Sequence, residues 1–374
     1  MKLEIISAAI LMFSGFFNTV TSTLQDSEYV PVEEVSYVTD ENGNQVAIET
    51  SRYDWRRRRR ATPQPSATAT ATARPTIMAT ATPTPIKTTP SPVALPSTQG
   101  RLKWGAAFPE WQPEAVGAFE SMIGKPIDYY ATFVHWGNEK DFPMLYSGVV
   151  RDAGKTMVIF WEAKDYNVPS VNQTQYNFDA VLSGKWDSYF TQFAKDARTY
   201  GGPVILIPYS ESNDNSGPWG GQVNGNTVEK FKLAYQYITK FFNDAPNVKF
   251  GWAMNNVSSP QTDDNKIERY YPGDEYVDIV GVDGFNFGTP WQTWDQVFGS
   301  VLTMLSQYNK PILIASTASK EGPEKPQWII DGFGTQIKKY PLVIGWVWFN
   351  ERKERDWRVN SDAATLEAFK KVLP

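Results

Sequence analysis

The 374-residue sequence contains no cysteine and a single histidine, His135. Without cysteine the chain cannot form disulfides, thiolate metal sites or a cysteine nucleophile. One imidazole excludes a metal site built from several histidines, and a Ser-His-Asp triad would have to use His135 itself. The formal net charge of −5 provides no global basic field, which argues against nucleic acid as a partner.

The composition is otherwise that of a folded protein rich in aromatic residues. Hydrophobic residues make up 41% of the chain, charged residues 21% and aromatic residues 14%. These proportions are sufficient to bury a core and exclude a wholly disordered chain. At roughly 150 residues per domain the length suggests two to three domains, although one α/β barrel can use about 250.

A short apolar run near the amino terminus predicts a signal peptide over residues 1–24. Lys2 precedes the run, which extends from Ile5 to about Phe17 and is followed by small and polar residues. A bilayer span needs about 20 apolar residues, so the run favours cleavage over anchoring. We therefore expect a secreted protein that is tethered to the membrane only if this segment is not cleaved.

Residues 25–100 predict a disordered linker that is polar at first and rich in threonine and proline further on. Five consecutive arginines, Arg56–Arg60, form a charge run that we interpret as solvated. Residues 61–90 then contain 10 threonines, 7 alanines and 6 prolines. Proline removes backbone donors, and so little apolar surface cannot offset the entropy of ordering the chain. This segment is expected to act as an extended tether.

Residues 101–374 have a different composition and contain 13 of the 14 tryptophans. Eight short apolar, β-branched or aromatic runs recur there, and they begin 27 to 48 residues apart. This spacing suits a repeat of strand, loop, helix and loop, and predicts a (β/α)8 TIM barrel. A doubly wound open sheet is the alternative, but no GxGxxG or GxxxxGK(S/T) motif follows any of the runs. The runs are Leu102–Ala107, Tyr129–His135, Thr156–Trp161, Val204–Tyr209, Val248–Met254, Ile279–Val282, Ile312–Ala315 and Val343–Phe349.

Tryptophan, asparagine and carboxylate side chains crowd the carboxyl ends of these runs, where a (β/α)8 barrel places its active site. Flat aromatic faces stack on sugar rings, while amides and carboxylates bind the hydroxyls. A sugar-binding cleft is therefore predicted, with a polysaccharide or oligosaccharide as its partner. Retaining glycosidases need two carboxyls about 5 to 5.5 Å apart, and Glu211 after the fourth run is the best acid/base candidate. The seventh run is the natural donor of the second carboxylate, but it offers Ser316 instead.

Several stretches resemble glycoside hydrolase family 26, whose members include β-mannanases and related β-glycanases. In order along the chain they are YSESN followed by GPWGG, RYYPGDEYVDIVGVDGFN, KPILIASTAS and GWVWFNERKERDWRVNSDAATLEAF. The similarity covers essentially all of residues 101–374, and the YPGDEYVDIVGVDG segment is its most specific part. The resemblance implies a barrel with a glutamate acid/base after strand four and a glutamate nucleophile after strand seven.

Only one of these two glutamates has a counterpart in the sequence. Glu211 matches the acid/base, within SESN where the family commonly shows HEMN. The nucleophile is not matched, because a pattern resembling IAETAS occurs here as Ile314–Ser319, with Ser316 at the nucleophile position. A serine hydroxyl with no histidine base nearby in sequence cannot be assumed to attack an anomeric carbon.

The resemblance also assigns roles around the substrate. It implies a sugar contact by His135, an aromatic floor of the cleavage subsite at Trp346, and an aromatic near the acid/base at Trp219. Phe285 stands where a tyrosine is often found, so a hydroxyl that would hydrogen-bond the nucleophile is absent. Together, the strand ends and the resemblance predict these substrate-binding residues: His135, Trp136, Trp161, Asn213, Trp219, Phe285, Asn286 and Trp346.

Three interpretations of function stay open at this point. In the first, the chain is a β-glycanase whose nucleophile has been replaced, so that hydrolysis is abolished or strongly reduced. In the second, Glu321 or Glu351 serves instead, with the carboxyls about 6.5 to 9.5 Å apart as in inverting glycosidases. In the third, the protein binds glycans through its aromatic cleft without catalysis.

The resemblance implies β-1,4-mannan as the first substrate, with mixed-linkage β-glucan and β-1,3-xylan as alternatives. No cofactor or metal is expected, because acidic clusters such as Asp263-Asp264 fall in a predicted surface loop and are interpreted as solvated. A monomer is expected.

Overall fold

Eight parallel strands close into a barrel in the computed structural model, which describes residues 33–39, 45–51, 100–108, 113–137 and 141–374. Each strand pairs with the next along the chain, and the last pairs with the first. The predicted TIM barrel is therefore confirmed. The barrel strands are β3 (Lys103–Ala107), β4 (Tyr129–His135), β5 (Thr156–Glu162), β6 (Val204–Pro208), β7 (Val248–Asn255), β8 (Ile279–Asn286), β9 (Ile312–Ser319) and β10 (Val343–Phe349).

Helices alternate with these strands and cover the outside of the barrel. Thr227 caps the helix Val228–Thr239 by accepting a hydrogen bond from the Lys230 N–H, as its position before an apolar periodic stretch predicts. Thr293 and Gln296 form a reciprocal capping box at the start of α6. The helices are α1 (Pro113–Ile123), α2 (Met144–Asp152), α3 (Phe178–Leu182), α4 (Asp187–Tyr200), α5 (Val228–Thr239), α6 (Trp294–Leu305), α7 (Lys325–Ile329) and α8 (Ala363–Val372).

Both faces of the barrel strands are buried, which explains why the strands read as nearly continuous apolar runs. One buried cluster, which includes Ala131, Phe160 and Ile207, contains strand residues only and forms the barrel interior. A larger cluster joins the alternate strand residues to the helices. Interior space is limited, because a Cβ on Gly281 would lie 3.1 Å from the Ala253 Cβ.

Two further strands precede the barrel in sequence. β1 (Glu33–Thr39) and β2 (Gln45–Ser51) pair antiparallel, with Glu33 opposite Ser51 and Thr39 opposite Gln45. This pair lies within residues 25–100, for which a disordered linker is predicted, and that linker stays a prediction. An Asn-Gly dipeptide, which favours hairpin turns, lies between the two strands in the sequence.

The predicted signal peptide, residues 1–24, lies outside the described residues. The arginine run Arg56–Arg60 and the threonine- and proline-rich segment 61–90 also lie outside them. Over the part of the chain that the structure describes, no helix has the length and apolar character needed to cross a membrane.

Candidate active site

A row of polar side chains crosses the barrel at the carboxyl ends of its strands. Asn255 on β7 is opposite Asp283 on β8, which in turn is opposite Ser316 on β9. His135 on β4 is opposite Glu162 on β5. Side chains alternate along a strand, and His135, Glu162 and Asn255 each lie two positions beyond a residue that packs in the interior cluster. The polar row therefore forms the top layer of the barrel interior.

A bulge in β9 determines which residue faces Asp283. Val282 pairs with Ile314, whereas Asp283 pairs with Ser316, so Ala315 is the extra residue. Bulges redirect side chains and occur often beside active sites. Without this bulge, Ala315 rather than Ser316 would be opposite Asp283.

Glu211 follows β6 in an unusual backbone conformation. Tyr209 and Glu211 have φ angles of 57° and 58°, in the left-handed region that favours glycine. Such strain costs about 1–3 kcal/mol per residue and persists where surrounding contacts impose it. The Glu211 N–H donates to the Ala253 carbonyl over 3.1 Å, and the Trp219 indole donates to the Ser210 carbonyl over 2.7 Å. These bonds hold the loop that presents Glu211 at the barrel mouth.

Asn213 supports Glu211 indirectly. Its Oδ1 accepts from the Asn255 N–H over 2.9 Å, and its Nδ2 donates to the Asn255 carbonyl over 2.9 Å and to Ser258 Oγ over 3.2 Å. Asn255 in turn donates from Nδ2 to Glu211 Oε1 over 3.2 Å. Asn213 is fully buried and its amide is used by these partners. These partners lie within the protein, and the contact of Asn213 with sugar stays a prediction.

The surroundings of Glu211 favour its protonated form. Burial, together with the negative charges of Asp214 and Glu162, raises the pKa of Glu211 to about 7. The hydrogen bond from Asn255 and the positive charge of Lys353 oppose this shift. Glu211 keeps part of its surface exposed. A carboxyl that is reachable and still protonated near neutral pH can act as a general acid.

Asp283 is a second carboxyl in the same layer. Burial first, and then the negative charge of Glu211, raise the pKa of Asp283 well above its ordinary value. The Ser316 N–H donates a hydrogen bond to the Asp283 carboxylate, which partly opposes that shift. The negative charge of Glu211 therefore disfavours ionisation of Asp283.

Three of the predicted sugar-binding tryptophans face away from the barrel mouth. Trp136, Trp161 and Trp346 are fully buried in the cluster between the strands and the helices. The Trp161 indole donates to the Tyr189 hydroxyl over 2.9 Å, and Trp346 packs with its ring centroid 4.9 Å from that of Phe333. Alternation along the strands directs Trp161 and Trp346 outward, and the sugar contacts of all three tryptophans stay predictions.

Phenylalanines line the inside of the barrel at the corresponding level. The Phe133 and Phe160 rings stack with centroids 4.8 Å apart, and Phe349 lies 6.1 Å from Phe133 and 5.8 Å from Phe285. The Phe285 ring also lies 5.4 Å from the buried Trp357. Phe285 is thus on the inner face, as its predicted role requires, whereas the inner aromatic of the last strand is Phe349.

Asn286 organises a loop instead of facing the cleft. Its Oδ1 accepts from the Gly288 and Gln292 N–H groups over 3.0 and 3.2 Å, and its Nδ2 donates to Ser319 Oγ over 3.2 Å. Asn286 is fully buried. Its contact with sugar stays a prediction.

A cluster of charged and aromatic side chains lies at the rim beside Glu211, and the sequence predicted only some of its members. Lys164 pairs with Glu162 over 2.8 Å, and its Nζ lies 5.4 Å from the Trp219 ring and 5.5 Å from the Tyr166 ring. The Tyr166 ring lies 4.9 Å from that of His135 and is 69% exposed. The structure brings the predicted His135 and Trp219 together here, and Tyr166 adds an exposed aromatic face.

Glu321 and Glu351 lie among other charges. Glu321 accepts a hydrogen bond from the Asp356 N–H over 2.9 Å, and backbone hydrogen bonds of this kind outweigh its partial burial and lower its pKa. Burial raises the pKa of Glu351, whose charged neighbours are Lys353 and Glu354. Neither carboxylate is among the groups that shift the pKa of Glu211. Their role as a replacement carboxylate stays a prediction.

Among the described residues, no group of three or more histidine, aspartate and glutamate side chains is arranged to hold a metal ion.

Comparison with known proteins relates the barrel to one family of glycosidases. The family model for glycosyl hydrolase family 26 matches residues 151–366. Endoglucanase H of Acetivibrio thermocellus is 34% identical to the chain over 270 residues, which are 69% of this chain and 29% of that protein. The chain thus corresponds to less than a third of the length of this relative.

Solved structures share the fold at low sequence identity. A GH26 β-mannanase from Bacteroides ovatus has a TM-score of 0.57 at 16% identity, over 74% of this chain and 89% of that one. The catalytic domain of a GH26 endo-β-1,4-mannanase from Bacillus sp. JAMB-750 has a TM-score of 0.56 at 16% identity, over 74% and 86% of the two chains. A modular endo-β-1,4-mannanase from Cellulomonas fimi has a TM-score of 0.54 at 17% identity, over 73% and 70%.

Proposed function

Because the chain belongs to glycosyl hydrolase family 26, we propose that it is a β-glycanase whose barrel mouth binds a β-linked polysaccharide and whose Glu211 protonates the glycosidic oxygen. The observation that carries this proposal is the environment of Glu211. The side chain lies above the polar row, is hydrogen-bonded by Asn255, and has a pKa raised to about 7 by burial and neighbouring negative charge. Protonation of the leaving group by such a carboxyl is the step that both retaining and inverting glycosidases require.

Ser316 occupies the position of the family nucleophile in this proposal. It lies within β9, opposite Asp283 in the polar row, and the resemblance to IAETAS supports this assignment. A serine there provides no carboxylate to form the covalent glycosyl-enzyme intermediate. Hydrolysis by double displacement is therefore abolished or strongly reduced, since losing one member of a catalytic pair costs many orders of magnitude in rate.

The proposed substrate is β-1,4-mannan, with mixed-linkage β-glucan and β-1,3-xylan as alternatives. The barrel mouth offers stacking surfaces at Tyr166, Phe285 and Phe349, beside the imidazole of His135. Aromatic faces with a few polar groups are the usual composition of a carbohydrate cleft.

The test is product release from mannan, glucomannan and mixed-linkage β-glucan by the full chain, compared with Ser316→Glu. We expect the glutamate variant to cleave at least one substrate far faster than the unmodified chain, and Glu211→Gln in that background to abolish the gain. If the glutamate variant cleaves nothing while the chain binds oligosaccharides regardless of Glu211→Gln, the protein is a glycan-binding module and the proposal fails.

We further propose that the protein is exported and acts as a monomer outside the cell. The apolar run after Lys2 and the tether-like composition of residues 61–90 support export. Amino-terminal sequencing of the mature protein and light scattering after size exclusion would test the two statements. An unprocessed amino terminus in the cytosol, or a dimer mass, would contradict them.

A further inference from the structure

Phe287 is an exposed aromatic side chain just beyond the carboxyl end of β8. The inner face of this strand carries, at alternate positions, Ile279 of the interior cluster, Asp283 of the polar row and the half-buried Phe285. Phe287 continues this series by two residues, and its ring centroid lies 6.1 Å from that of Phe285. The ring is 48% exposed and therefore extends the aromatic lining of the barrel mouth outward.

The turn that carries Phe287 is held by its neighbours. The Asn286 side chain accepts from the Gly288 and Gln292 N–H groups, and the Asn286 carbonyl accepts from the Lys320 N–H over 2.9 Å. Gly288 has a φ of 72°, and a Cβ at this position would collide with the Lys320 side chain. Glycine is therefore required here, and the turn fixes the backbone that presents Phe287.

Trp357, in the loop after β10, supports the Phe287 ring. The two rings meet in a T-shaped contact, with centroids 5.1 Å apart and planes 88° apart. Trp357 is fully buried, and the carbonyls of its neighbours Asp356 and Arg358 accept from the Lys325 ammonium over 3.0 and 2.8 Å. Burying an ammonium costs free energy. In this chain the buried ammonium holds the segment that supports Phe287.

An exposed ring that is held in place by its surroundings is suited to bind a ligand, because little conformational freedom is lost on binding. The position of Phe287 favours a sugar ring as this ligand, since Phe287 continues the lining of the proposed saccharide cleft. Aromatic faces stack on the apolar faces of sugar rings. A protein partner would need a far larger contact surface than one ring provides.

Phe287 and Tyr166 lie on either side of Glu211 around the barrel mouth. Tyr166 follows β5, Glu211 follows β6 and Phe287 follows β8. Strands β5, β6, β7 and β8 are neighbours in this order in the closed barrel. A saccharide that reaches both exposed rings therefore passes the side of the mouth where Glu211 lies.

We propose that Phe287 is the stacking platform of a distal subsite, which binds a sugar ring away from the bond that is cleaved. Its ligand is a β-linked saccharide long enough to reach from Tyr166 to Phe287. The proposal rests on the proposed function, which supplies the saccharide and its path past Glu211. It adds a requirement of its own, because Phe287 contributes to affinity only when the saccharide is long.

Calorimetric titration with saccharides of increasing length tests the subsite. The probes are β-1,4-manno-oligosaccharides and mixed-linkage β-gluco-oligosaccharides, from disaccharides to hexasaccharides. Glu211→Gln is the background, so that no cleavage occurs. We expect Phe287→Ala to weaken binding of the hexasaccharide about 5- to 10-fold, and binding of the shortest saccharide that binds by less than about 2-fold. Phe287→Ala and Tyr166→Ala should have multiplicative effects on the hexasaccharide.

Two further variants separate stacking from general apolar contact. Phe287→Trp keeps a flat ring and should hold the hexasaccharide affinity within about 2-fold of the background. Phe287→Leu keeps apolar surface without a ring and should bind as weakly as Phe287→Ala. Leu233→Ala, an exposed substitution on α5, is the control and should change no affinity. Circular dichroism establishes that each variant is folded, and Phe287→Leu decides the matter if Phe287→Ala does not fold.

The outcomes separate this inference from the proposed function. Unchanged affinity of Phe287→Ala or Phe287→Leu at every length overturns the subsite and leaves the proposed function standing. An equal loss for short and long saccharides also overturns the subsite, because the ring would then act at the centre of the site or on the fold. If no saccharide of either series binds to the background, the proposed function fails and the subsite fails with it.

Discussion

Asn255 donates a hydrogen bond from its Nδ2 to Glu211 Oε1 over 3.2 Å, and its own backbone N–H donates to Asn213 Oδ1. The hydrogen bond to Glu211 stabilises the ionised carboxylate and so lowers the pKa that burial raises. Asn255 thereby adjusts the pH at which Glu211 loses the proton that the proposed reaction needs.

Removal of this amide should shift the pH dependence of cleavage. In the Ser316→Glu background, we expect Asn255→Ala to raise the pKa of Glu211. Because the proposed acid works only while protonated, the basic limb of kcat/KM should move to higher pH by about half a unit or more, as expected for a hydrogen bond worth about 1 kcal/mol. A pH series for both proteins measures the shift. A limb that stays in place or moves to lower pH would show that Asn255 does not act on the titrating group.

Glu211→Gln should stabilise the fold at alkaline pH while abolishing cleavage. The folded-state pKa of about 7 lies above the ordinary value of 4.5. The stability contributed by Glu211 is therefore fully present below pH 4.5 and is lost as the pH rises through 7. Above pH 7 the cost of the ionised carboxylate is at most about 3 kcal/mol, since one pKa unit corresponds to about 1.4 kcal/mol.

Thermal denaturation at pH 4 and pH 8.5 measures this effect. We expect Glu211→Gln to melt at a higher temperature than the unmodified chain at pH 8.5 and at a similar temperature at pH 4. Glu268→Gln is the control, since Glu268 is exposed and its replacement should change neither value. An equal melting temperature at both pH values would contradict the raised pKa.

Asn213→Ala should lower the stability of the folded protein. The variant loses two donated hydrogen bonds and one accepted bond in a fully buried position, which leaves the groups around Asn255 unsatisfied. We expect the free energy of unfolding to fall by about 2–4 kcal/mol in chemical denaturation. The exposed Asn172→Ala should change it by about 0.5 kcal/mol or less. If the variant is as stable as the unmodified chain but binds sugar more weakly, Asn213 contacts sugar as the sequence predicts.

Tyr166→Ala should weaken the binding of oligosaccharides. The ring is 69% exposed beside His135 and contributes little to the core. If it stacks on a sugar ring, its loss should weaken oligosaccharide binding about 5- to 10-fold, because such aromatic contacts are worth about 1 kcal/mol. Calorimetric titration of the Glu211→Gln protein with and without Tyr166→Ala measures this. Leu233→Ala, an exposed substitution on α5, is the control, and equal affinities in all three proteins would place the substrate elsewhere.

Much of the barrel was predictable, because regularly spaced apolar runs indicate strands that are buried on both faces. Seven of the eight predicted strand starts, from Tyr129 to Val343, coincide with the observed ones. Glu211 was predictable for a related reason, since its position after a strand already places it at the active-site end of such a barrel.

The face on which a strand-end residue lies was harder to predict. Trp346 and Phe349 end the same strand, but alternation sends the tryptophan outward and the phenylalanine inward. Every second residue along a strand shares a face, so counting from a known interior residue would have assigned Trp346 to the outer face. The same count would have placed Glu162 and Asn255 on the inner face. Asp283 stands opposite Ser316 only because of the bulge at Ala315, and no sequence signal marks that bulge.

The positions of the loop residues at the site depend on tertiary structure and could not be predicted from the sequence. Tyr166 and Lys164 follow β5 in a connection without periodicity, and their association with Trp219 requires the loops after two strands to meet. Asparagines at strand ends are compatible with either sugar or backbone partners. Only the hydrogen bonds of Asn213 and Asn286 show that both use backbone and side-chain partners within the protein.

Covalent trapping at position 316 tests most directly whether Ser316 occupies the nucleophile position. A 2-deoxy-2-fluoro β-glycoside with a good leaving group, matched to the preferred substrate, is incubated with the unmodified chain and with Ser316→Glu, and the masses of the intact proteins and their peptides are measured. We expect a single glycosyl adduct on the peptide that carries residue 316 in the glutamate variant, and no adduct in the unmodified chain. An adduct on another carboxylate, or none in an active glutamate variant, would contradict the assignment of Ser316 to the nucleophile position.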